Sequence, residues 1–303
     1  MKRHAYPIVA LLGLLTLSAS GCLSFHQGAM RGEPKNAAWQ RIDGVRVRYT
    51  DRGQGPAVVL LHGFASALET WVGVDEALRG THRVLSLDLK GFGWSDRPAG
   101  DYSPQAQARL VLKLLDARGV KRFAVVAHSW GSSVALALAI AAPDRVERVA
   151  LYDAWVYDDQ IPAFFRWAAV GGLGEAIFRL FYTERAEERL ATGFFDPSIL
   201  TEAFVDELQL ALKRPGTRAA ALAAVRGQHF AEMQPAYRRI QKPVLLLWGR
   251  DDRISMPRFA RRLASDLPQA RLKFYPRCGH FPMIEAAAAS TADLRSFLQE
   301  GAR

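Results

Sequence analysis

The chain has 303 residues, a formal net charge of +10 and an apolar share of 50%, and this length suits one large domain with an insertion better than two independent cores. Its basic residues are scattered and form no dense run interleaved with aromatic side chains, which argues against a nucleic-acid partner and favours a protein close to an anionic membrane surface. Cys22 and Cys278 are the only cysteines, so a disulfide framework is excluded.

The first residues have the features of a secretory signal peptide. Lys2 and Arg3 precede an apolar stretch over residues 8–17, and small residues follow as far as Cys22. The apolar stretch is shorter than the about 20 residues that a transmembrane helix needs. We therefore predict a cleaved signal peptide over residues 1–21, and hence an exported protein.

The sequence around Cys22 resembles a bacterial lipobox, in which a small residue precedes a cysteine that receives diacylglycerol. Ser20 and Gly21 fit this pattern, whereas Ala19 stands where leucine is most usual. The resemblance implies lipidation of Cys22 and a cell-envelope protein anchored to a membrane. The alternative is ordinary cleavage, which leaves a soluble periplasmic or secreted protein. Residues 22–38 are polar and are predicted to form a tether.

From residue 39 onward, strand and helix patterns alternate along the chain. After an opening hairpin over residues 44–51, apolar runs predict strands at residues 57–61, 83–88, 123–127, 146–152, 244–248 and 271–275. Helices are predicted at residues 67–78, 104–118, 132–142, 257–267 and 284–299. This alternation predicts an α/β fold with a mostly parallel central sheet flanked by helices.

The alternation breaks over residues 155–237, where the pattern is helical and no strand is convincing. We predict a helical cap here, inserted between the two parts of an α/β core, residues 39–154 and 238–303. Most aromatic side chains of the cap are expected to pack its own helices. A few are expected to line a pocket between cap and core.

A serine lies where a strand is expected to turn into a helix. Ser129 follows the apolar run 123–127 and precedes the Ala- and Leu-rich run 134–142. This arrangement predicts a nucleophile elbow, a sharp turn that lifts a serine hydroxyl to the top of the sheet at a helix N-terminus. Gly131 supplies a small residue that the turn requires, and Ala127 stands where glycine is more usual. The competing explanation is a serine that only caps a helix.

A serine nucleophile requires a base, and the base requires a carboxylate that holds its tautomer. The predicted strand 244–248 delivers Asp251 and Asp252 at its carboxyl end, and the predicted strand 271–275 delivers His280. Serine, acid and base therefore occur in that order, each on a loop after a strand.

An oxyanion site is predicted beside the serine. The strand 57–61 is followed by His62 and Gly63, after which the N–H of Phe64 can point into the pocket. The other donor is expected to be the N–H of Trp130, the residue after the serine. Each preorganised donor of this kind contributes about 3 to 4 kcal/mol of transition-state stabilisation.

Together these segments resemble the α/β-hydrolase family, over roughly residues 40–300 and in the family's order. The matching motifs are His62-Gly63-Phe64, the segment from Asp88 to Asp96, His128-Ser129-Trp130-Gly131, the segment from Gly249 to Ile254, and Cys278-Gly279-His280-Phe281-Pro282. The resemblance implies an α/β-hydrolase fold with Ser129 as nucleophile, His280 as general base and Asp252 as orienting acid. It further implies that the amides of Phe64 and Trp130 bind the oxyanion.

Two other carboxylates compete for the role of the acid. Asp251 is the neighbour of Asp252, and Asp153 follows the predicted strand 146–152, where some family members place the acid. The family pattern puts the acid three residues after the glycine that ends the strand, Gly249, which favours Asp252.

Further residues in these motifs have structural explanations. His62 and His128 are expected to shape turns, and Asp88 is expected to build a loop beside the pocket. Cys278 is expected to pack within its loop, because nothing in the sequence suggests a base for it.

The residue types favour one reaction over its neighbours. A serine alkoxide attacks an acyl carbon well, whereas displacement at an alkyl carbon requires a carboxylate nucleophile, so hydrolysis of esters with an apolar part is the favoured activity of Ser129. Carbon–carbon bond hydrolases and cofactor-free perhydrolases of the same family also use serine and stay open, as does a non-catalytic ligand-binding lipoprotein. The spacing of cysteines and histidines predicts no metal site, and no phosphate-binding loop or other cofactor signature is present.

Overall fold

The computed structural model describes residues 23–184 and 186–300. Eight strands form one sheet in the order β1-β2-β4-β3-β5-β6-β7-β8. The last six in this order, from β4 to β8, are parallel, while β1 and β2 pair in an antiparallel manner at one edge. The structure therefore has the α/β-hydrolase fold that the sequence predicts, a mostly parallel sheet flanked by helices.

The strands are β1 Ala38–Ile42, β2 Val45–Arg52, β3 Ala57–Leu61, β4 Arg83–Leu87, β5 Phe123–His128, β6 Val146–Tyr152, β7 Val244–Gly249 and β8 Ala270–Tyr275. The helices flanking the sheet are α1 Val72–Leu78, α2 Pro104–Ala117, α3 Gly131–Ala141, α10 Pro257–Asp266, α11 Pro282–Glu285 and α12 Ala287–Gln299. Between β6 and β7 lie α4 Ala163–Ala168, α5 Leu173–Phe181, α6 Ala186–Ala191, α7 Glu202–Lys213, α8 Thr217–Arg226 and α9 Phe230–Tyr237. Short 3₁₀ turns occupy Leu68–Trp71, Asp158–Gln160 and Pro197–Ile199.

Local chemistry accounts for the ends of several elements. The β1–β2 hairpin turns through Asp43 and Gly44, which both have positive φ (47° and 83°), as the tight turns that match strand twist require. Ser103 caps α2 by accepting a hydrogen bond from the N–H of Ala106 at 3.2 Å, with Pro104 in the first turn. The predicted helix over residues 284–299 is interrupted at Ala286, whose φ of −119° separates α11 from α12.

The sheet buries both of its faces, which explains the uninterrupted apolar runs of its central strands. Alternate residues of β3 show this: Val59 and Leu61 pack with α2, α3 and α10, whereas Val58 and Leu60 pack with α1 and α12. Helix α3 is buried on every side from Gly131 to Ala139. The helix that follows Ser129 is thus a fixed support, with no solvent-facing side along this stretch.

The helices between β6 and β7 divide into two layers. Ala220 and Ala224 of α8, together with Phe230 and Tyr237 of α9, belong to the main core. A separate apolar cluster joins α4, α5, α7 and the other face of α8; its buried members are Ala168, Phe178, Tyr182, Leu212, Ala221, Leu222 and Val225. We refer to residues 163–226 as the cap. No helix among the described residues is long and apolar enough to span a membrane.

The segment before β1 does not behave as the predicted tether over its described part, residues 23–38. His26 and Arg97 exchange two backbone hydrogen bonds, at 2.9 and 2.8 Å. The N–H of Gly28 donates to Asp96 Oδ1 at 2.8 Å, and Met30 is buried. These contacts hold the segment against the body, because Phe25 and Met30 add the apolar surface that a polar tether lacks.

Candidate active site

Ser129 lies in the turn between β5 and α3. It is one of five non-glycine residues with positive φ among the described residues, at 50°, a conformation that costs of order 1 to 3 kcal/mol. Its N–H donates to the carbonyl of Tyr152 at 2.9 Å, and its own carbonyl accepts from the N–H of Trp155 at 3.1 Å. The end of β6 therefore holds the strained turn in place.

Two glycines allow other chain segments to approach this turn. A Cβ on Gly131 would lie 2.4 Å from the carbonyl oxygen of His62, and a Cβ on Gly63 would lie 3.1 Å from Cβ of Ser129. The loop after β3 therefore passes directly against the serine. Strands β3 and β5 are neighbours at the point where the chain changes direction across the sheet, which is where open α/β sheets bind ligands.

The two amides that the sequence predicts as oxyanion donors are available. Neither the N–H of Phe64 nor that of Trp130 donates to any acceptor within residues 23–184 and 186–300. Trp130 directly precedes α3, so its N–H lies at the positive end of an 11-residue helix. Unpaired amides beside a serine hydroxyl can stabilise a negatively charged oxygen.

His280 and Asp252 form a buried pair. Nδ1 of His280 donates to Oδ2 of Asp252 at 2.8 Å. Oδ1 of Asp252 accepts from the N–H groups of Ile254 and Ser255, at 2.7 and 3.0 Å, which fixes the carboxylate. This pairing holds the histidine in the tautomer that leaves Nε2 free to accept a proton. The hydroxyl of Ser129, whose residue is 8% exposed, makes no hydrogen bond to the described residues, and contacts of this kind tighten when substrate binds.

Of the two competing acids, Asp251 points elsewhere and Asp153 lies behind the pair. Asp251 is exposed, and its Oδ2 accepts from the N–H of Cys278 at 3.4 Å. Asp153 is fully buried with φ of 44°, and its Oδ1 accepts from the N–H of Gly249 at 3.0 Å. Oxygen atoms of Asp153 and Asp252 and a nitrogen of His280 all lie within 4.8 Å of one another.

The surroundings of Asp153 favour its protonated form. Burial, and then the negative charge of Asp252, raise the pKa of Asp153 well above its ordinary value. Its Oδ2 accepts no hydrogen bond within the described chain, so a proton there can be donated to Asp252. The sequence points to Asp153 as a possible acid and gives no sign of this neutral role, which depends on an approach between β6 and the loop after β7.

The same three side chains would be the natural place to look for a metal among the described residues. Their ligand atoms are close enough, but His280 Nδ1 and Asp252 Oδ2 are already bonded to each other at 2.8 Å. That hydrogen bond uses the atoms that a metal would need. The donor set is thus better suited to proton transfer than to coordination.

Two buried histidines beside the site have structural tasks, in agreement with the sequence. Nε2 of His128 lies 2.8 Å from the carbonyl oxygen of His280, and burial followed by the charge of His280 lowers the pKa of His128 well below its usual range. His128 is therefore neutral and donates to that carbonyl. His62 bridges the carbonyl of Gly63 (2.7 Å) and the N–H of Leu89 (3.0 Å).

Asp88 also serves structure. It pairs with Arg48 at 2.6 Å and accepts from the N–H groups of Leu68 and Trp94, both at 2.8 Å. A Cβ on Gly93 would lie 2.1 Å from its carboxyl carbon. The carboxylate thus gathers the loops after β3 and β4 around one buried ion pair.

An aromatic wall runs from the serine turn into the cap. The rings of Trp130, Phe92, Phe64 and Phe165 form a chain with successive centroid distances of 5.4, 5.4 and 5.3 Å. Phe165 belongs to α4, so this wall joins cap and core. The sequence does not single out Phe92 or Phe165. The only signal for Phe92 is its place between two glycines in a loop after a parallel strand.

A seam of backbone contacts joins the cap to the histidine loop. The N–H of His280 donates to the carbonyl of Gly193 at 2.6 Å. Glu285 accepts from the N–H of Phe195 in the cap (2.7 Å) and from the N–H of Gly279 (2.8 Å). The rings of Phe194 and Phe281 stack at 4.6 Å. No local sequence pattern indicates the contacts across this seam, since the cap residues and the histidine loop are about ninety residues apart in the chain.

Of the two cysteines, the structure describes Cys278. Cys278 is buried, and burial raises the pKa of its thiol well above its ordinary value. It therefore acts as a packing residue and not as a nucleophile. Cys22, the predicted lipidation site, and the predicted signal peptide over residues 1–21 lie outside the described residues.

Comparisons with known proteins agree with this geometry. The family described as alpha/beta hydrolase fold matches residues 56–287. The chain is 30% identical to an uncharacterized protein of Mycobacterium tuberculosis (strain ATCC 25618 / H37Rv), covering 84% of this chain and 79% of that protein. It is 29% identical to 2-hydroxymuconate semialdehyde hydrolase of Pseudomonas sp. (strain CF600), covering 85% of this chain and 92% of that enzyme.

Among solved structures, a thermophilic esterase from Thermogutta terrifontis is similar, with a TM-score of 0.72 and 25% identity over 87% of this chain and 98% of the esterase. Fold, site geometry and the family match agree on the class, a hydrolase of the α/β fold. The chain belongs to the α/β-hydrolase family.

Proposed function

We propose that the chain is a serine hydrolase that cleaves carboxylic esters with an apolar part through an acyl-enzyme on Ser129. The observation that carries the proposal is the buried His280–Asp252 pair at 2.8 Å on loops beside the strained serine turn. The available amides of Phe64 and Trp130 supply the remaining element of acyl transfer. No cofactor has a part in this chemistry.

The reaction divides into two proton transfers through one histidine. His280 Nε2 accepts the Ser129 proton while Oγ attacks the acyl carbon, and the two amides stabilise the oxyanion. The intermediate collapses, the C–O bond to the alcohol breaks, and His280 gives the proton to the departing alcohol oxygen. Water then repeats the sequence on the acyl-enzyme and releases the acid.

The aromatic wall supports an apolar substrate. Phe64 and Trp130 contribute both an amide to the site and a ring to the wall, so an acyl or alcohol group beside the oxyanion contacts these rings. Hydrophobic contact of this kind contributes about 25 cal/mol per Å² of apolar surface buried. Longer apolar acyl groups are therefore expected to raise kcat/KM.

A second candidate activity is hydrolysis of a carbon–carbon bond, favoured by the similarity to 2-hydroxymuconate semialdehyde hydrolase over 85% of this chain. Both reactions can use Ser129, and they differ in the leaving group, an alcohol oxygen or a carbon that must be protonated. A panel of 4-nitrophenyl esters of increasing chain length, run beside a vinylogous 1,5-diketone acid, separates them. Turnover of the diketone alone would overturn the ester proposal.

A fluorophosphonate probe tests the enzyme itself. We expect covalent labelling of the folded wild-type chain and none of the Ser129→Ala variant. Ser132→Ala is a matched control, because Ser132 is a buried serine three residues away in α3. A wild-type chain that folds and never labels would favour a non-catalytic, ligand-binding protein.

We also propose export and lipid anchoring at Cys22. The support is the sequence pattern of residues 1–22 and the net charge of +10. A thioether-linked diacylglycerol holds a protein on a membrane through a high-salt wash, whereas attraction by basic charge alone is screened. Metabolic labelling with a palmitate analogue, with Cys22→Ser as control, gives the direct test. An unlabelled, soluble wild-type protein would remove the anchor and leave the hydrolase proposal unaffected.

A further inference from the structure

The cap exposes several large apolar side chains. Trp167 is 61% exposed, Val170 56%, Leu173 47% and Leu180 60%. Within the same helices Ala168, Gly174 and Phe178 are buried, so α4 and α5 have one apolar side turned inward and another turned outward. All seven tryptophans lie in the described chain, and Trp167 is the only exposed one. A cluster of this kind marks a surface that binds something apolar.

A basic cavity adjoins α5, which contributes Arg179 to its lining. Its volume is about 410 Å³, and Arg179, Lys213, Arg214 and Arg218 line it without any acidic side chain. The Arg214 guanidinium is already engaged, since it pairs with Glu207, donates to the carbonyl of Gly93 at 3.2 Å and stacks on the ring of Trp94. Arg218 donates to Thr183 Oγ1 at 3.1 Å. Arg179 and Lys213 have no ion pair within residues 23–184 and 186–300.

The N-terminus of helix α8 also lines the cavity. Gly216, Thr217 and Arg218 line it, and α8 begins at Thr217 and continues for ten residues. The first amides of a helix carry partial positive charge and favour anions. Arg179 and Lys213, with a helix start beside them, fit a phosphate group, which accepts several charge-assisted hydrogen bonds.

The beginning of the described chain lies in the same place. Leu23 and Ser24 line the basic cavity, and Leu23 also packs against the apolar cluster of the cap. Cys22 is bonded directly to Leu23. Arg179, one of the cations of the cavity, stands between Phe178 and the exposed Leu180 on α5. Leu173 and Leu180 lie seven residues apart and therefore share one face of α5, and Leu180 is the neighbour of the cavity cation Arg179.

We infer that this side of the cap, formed by Trp167, Val170, Leu173, Leu180 and the basic cavity, docks on an anionic phospholipid bilayer. The apolar side chains enter the boundary between headgroups and acyl chains, as on interfacial helices. The cavity holds a lipid phosphate, and the unpaired cations attract the surface charge. The inference does not depend on which bond the enzyme cleaves.

Trp167 fluorescence in the full-length chain tests it, with vesicles of phosphatidylcholine alone or mixed with phosphatidylglycerol and containing brominated acyl chains. Sedimentation reports attachment by any route, whereas quenching of Trp167 by bromine reports docking of this face. We expect quenching in the anionic vesicles only, and its loss in Trp167→Phe. Leu180→Ser should reduce this quenching.

The cations are tested by a pair of double variants. Each cation near an anionic surface changes the docking equilibrium about fivefold, so Arg179→Gln with Lys213→Gln should lower the ratio of docked to undocked protein about thirtyfold. The control is Lys121→Gln with Lys242→Gln, two cations at the opposite, amino-terminal edge of the sheet. Equal effects of the two pairs would overturn the inference.

Two further results would also overturn it. One is that Trp167 stays accessible to quenching by acrylamide, and is not quenched by the brominated lipids, with vesicles of both compositions. The other is Trp167 that is shielded without vesicles in a concentration-dependent manner, since that would mean a second copy of the chain covers this face.

Discussion

The serine turn and the outer face of the cap differ in burial and in how far their polar groups have partners. Around Ser129, the side chains of His62, His128, Asp252 and His280 are buried, and most of their polar atoms have partners at hydrogen-bond distance. On the outer face of the cap, large apolar side chains such as Trp167 are exposed, and cations such as Lys213 lack a partner in the described chain. The catalytic region therefore satisfies most of its polar groups within the protein, whereas the outer face of the cap leaves apolar and cationic groups exposed.

This difference separates two tasks. A preorganised site stabilises a transition state only if its dipoles are already fixed before the reaction, which the buried network provides. Binding of the protein to a membrane or another partner requires a surface that stays exposed until that partner binds. The seam at Gly193 and Glu285 is where the two regions meet, because the carbonyl of Gly193 holds the N–H of His280.

The largest effect is expected at the buried site. Ser129→Ala or His280→Ala should each lower kcat about a millionfold. The nucleophile and its base act together, so losing either one costs about as much as losing both. Steady-state kinetics with the best ester from the panel, at equal amounts of folded protein, measure it. A loss below about a hundredfold in either variant would mean that the buried region does not perform the chemistry.

The second effect distinguishes the two buried carboxylates. Asp252→Asn should cost about ten-thousandfold in kcat, because the amide cannot hold the His280 tautomer. Asp153→Asn should cost less than about tenfold, since an amide resembles the protonated acid that burial enforces there. The reverse order in the same kinetic assay would make Asp153 the orienting acid and our assignment wrong.

A smaller effect is expected at the seam. Glu285→Ala leaves the N–H groups of Phe195 and Gly279 without their acceptor, and a displacement of about 1 Å in a catalytic loop costs up to about a hundredfold. We expect kcat/KM to fall about tenfold to a hundredfold. The kcat/KM of Glu285→Gln, which keeps one acceptor oxygen, should lie between that of Glu285→Ala and that of the wild type. Unchanged kinetics in Glu285→Ala would show that the two regions act independently.

The smallest effect is a pH dependence of stability. Because the folded-state pKa of Asp153 is raised, the folded chain keeps a proton that the unfolded chain loses above about pH 4. Asp153 therefore supports the fold most at low pH, and this support declines as pH rises toward the folded pKa. Urea unfolding at pH 5, 6 and 7 should show the stability of Asp153→Asn rising with pH relative to that of the wild type, by at most about 1.4 kcal/mol per pH unit. A constant difference would contradict a neutral Asp153.

Much of the core could be predicted because its signals are local. Six strands of β-branched and leucine residues, each followed by a loop with glycine or a polar residue, define a parallel sheet whose carboxyl ends meet at one edge. That placement is what allows Ser129, Asp252 and His280 to be assigned to one site from the amino-acid sequence alone.

The remaining features depend on contacts between distant segments. The neutral state of Asp153 arises only because β6 and the loop after β7 approach each other, and the hydrogen bond from His280 to Gly193 pairs two main-chain groups without side-chain signals. A polar composition led residues 22–38 to be predicted as a tether, although Phe25 and Met30 supply contacts to the body.

Those contacts before β1 set how freely the body can move relative to its N-terminus. Leu23 is packed against the cap, and His26 is paired with Arg97, so a lipid on Cys22 would be joined to a rigid particle within one residue. Such a particle cannot reach outward from its membrane or rotate freely above it. It would search for substrate in two dimensions, and the orientation of Ser129 relative to the membrane would be set by the contacts of Leu23 and His26 that hold the N-terminal segment against the fold.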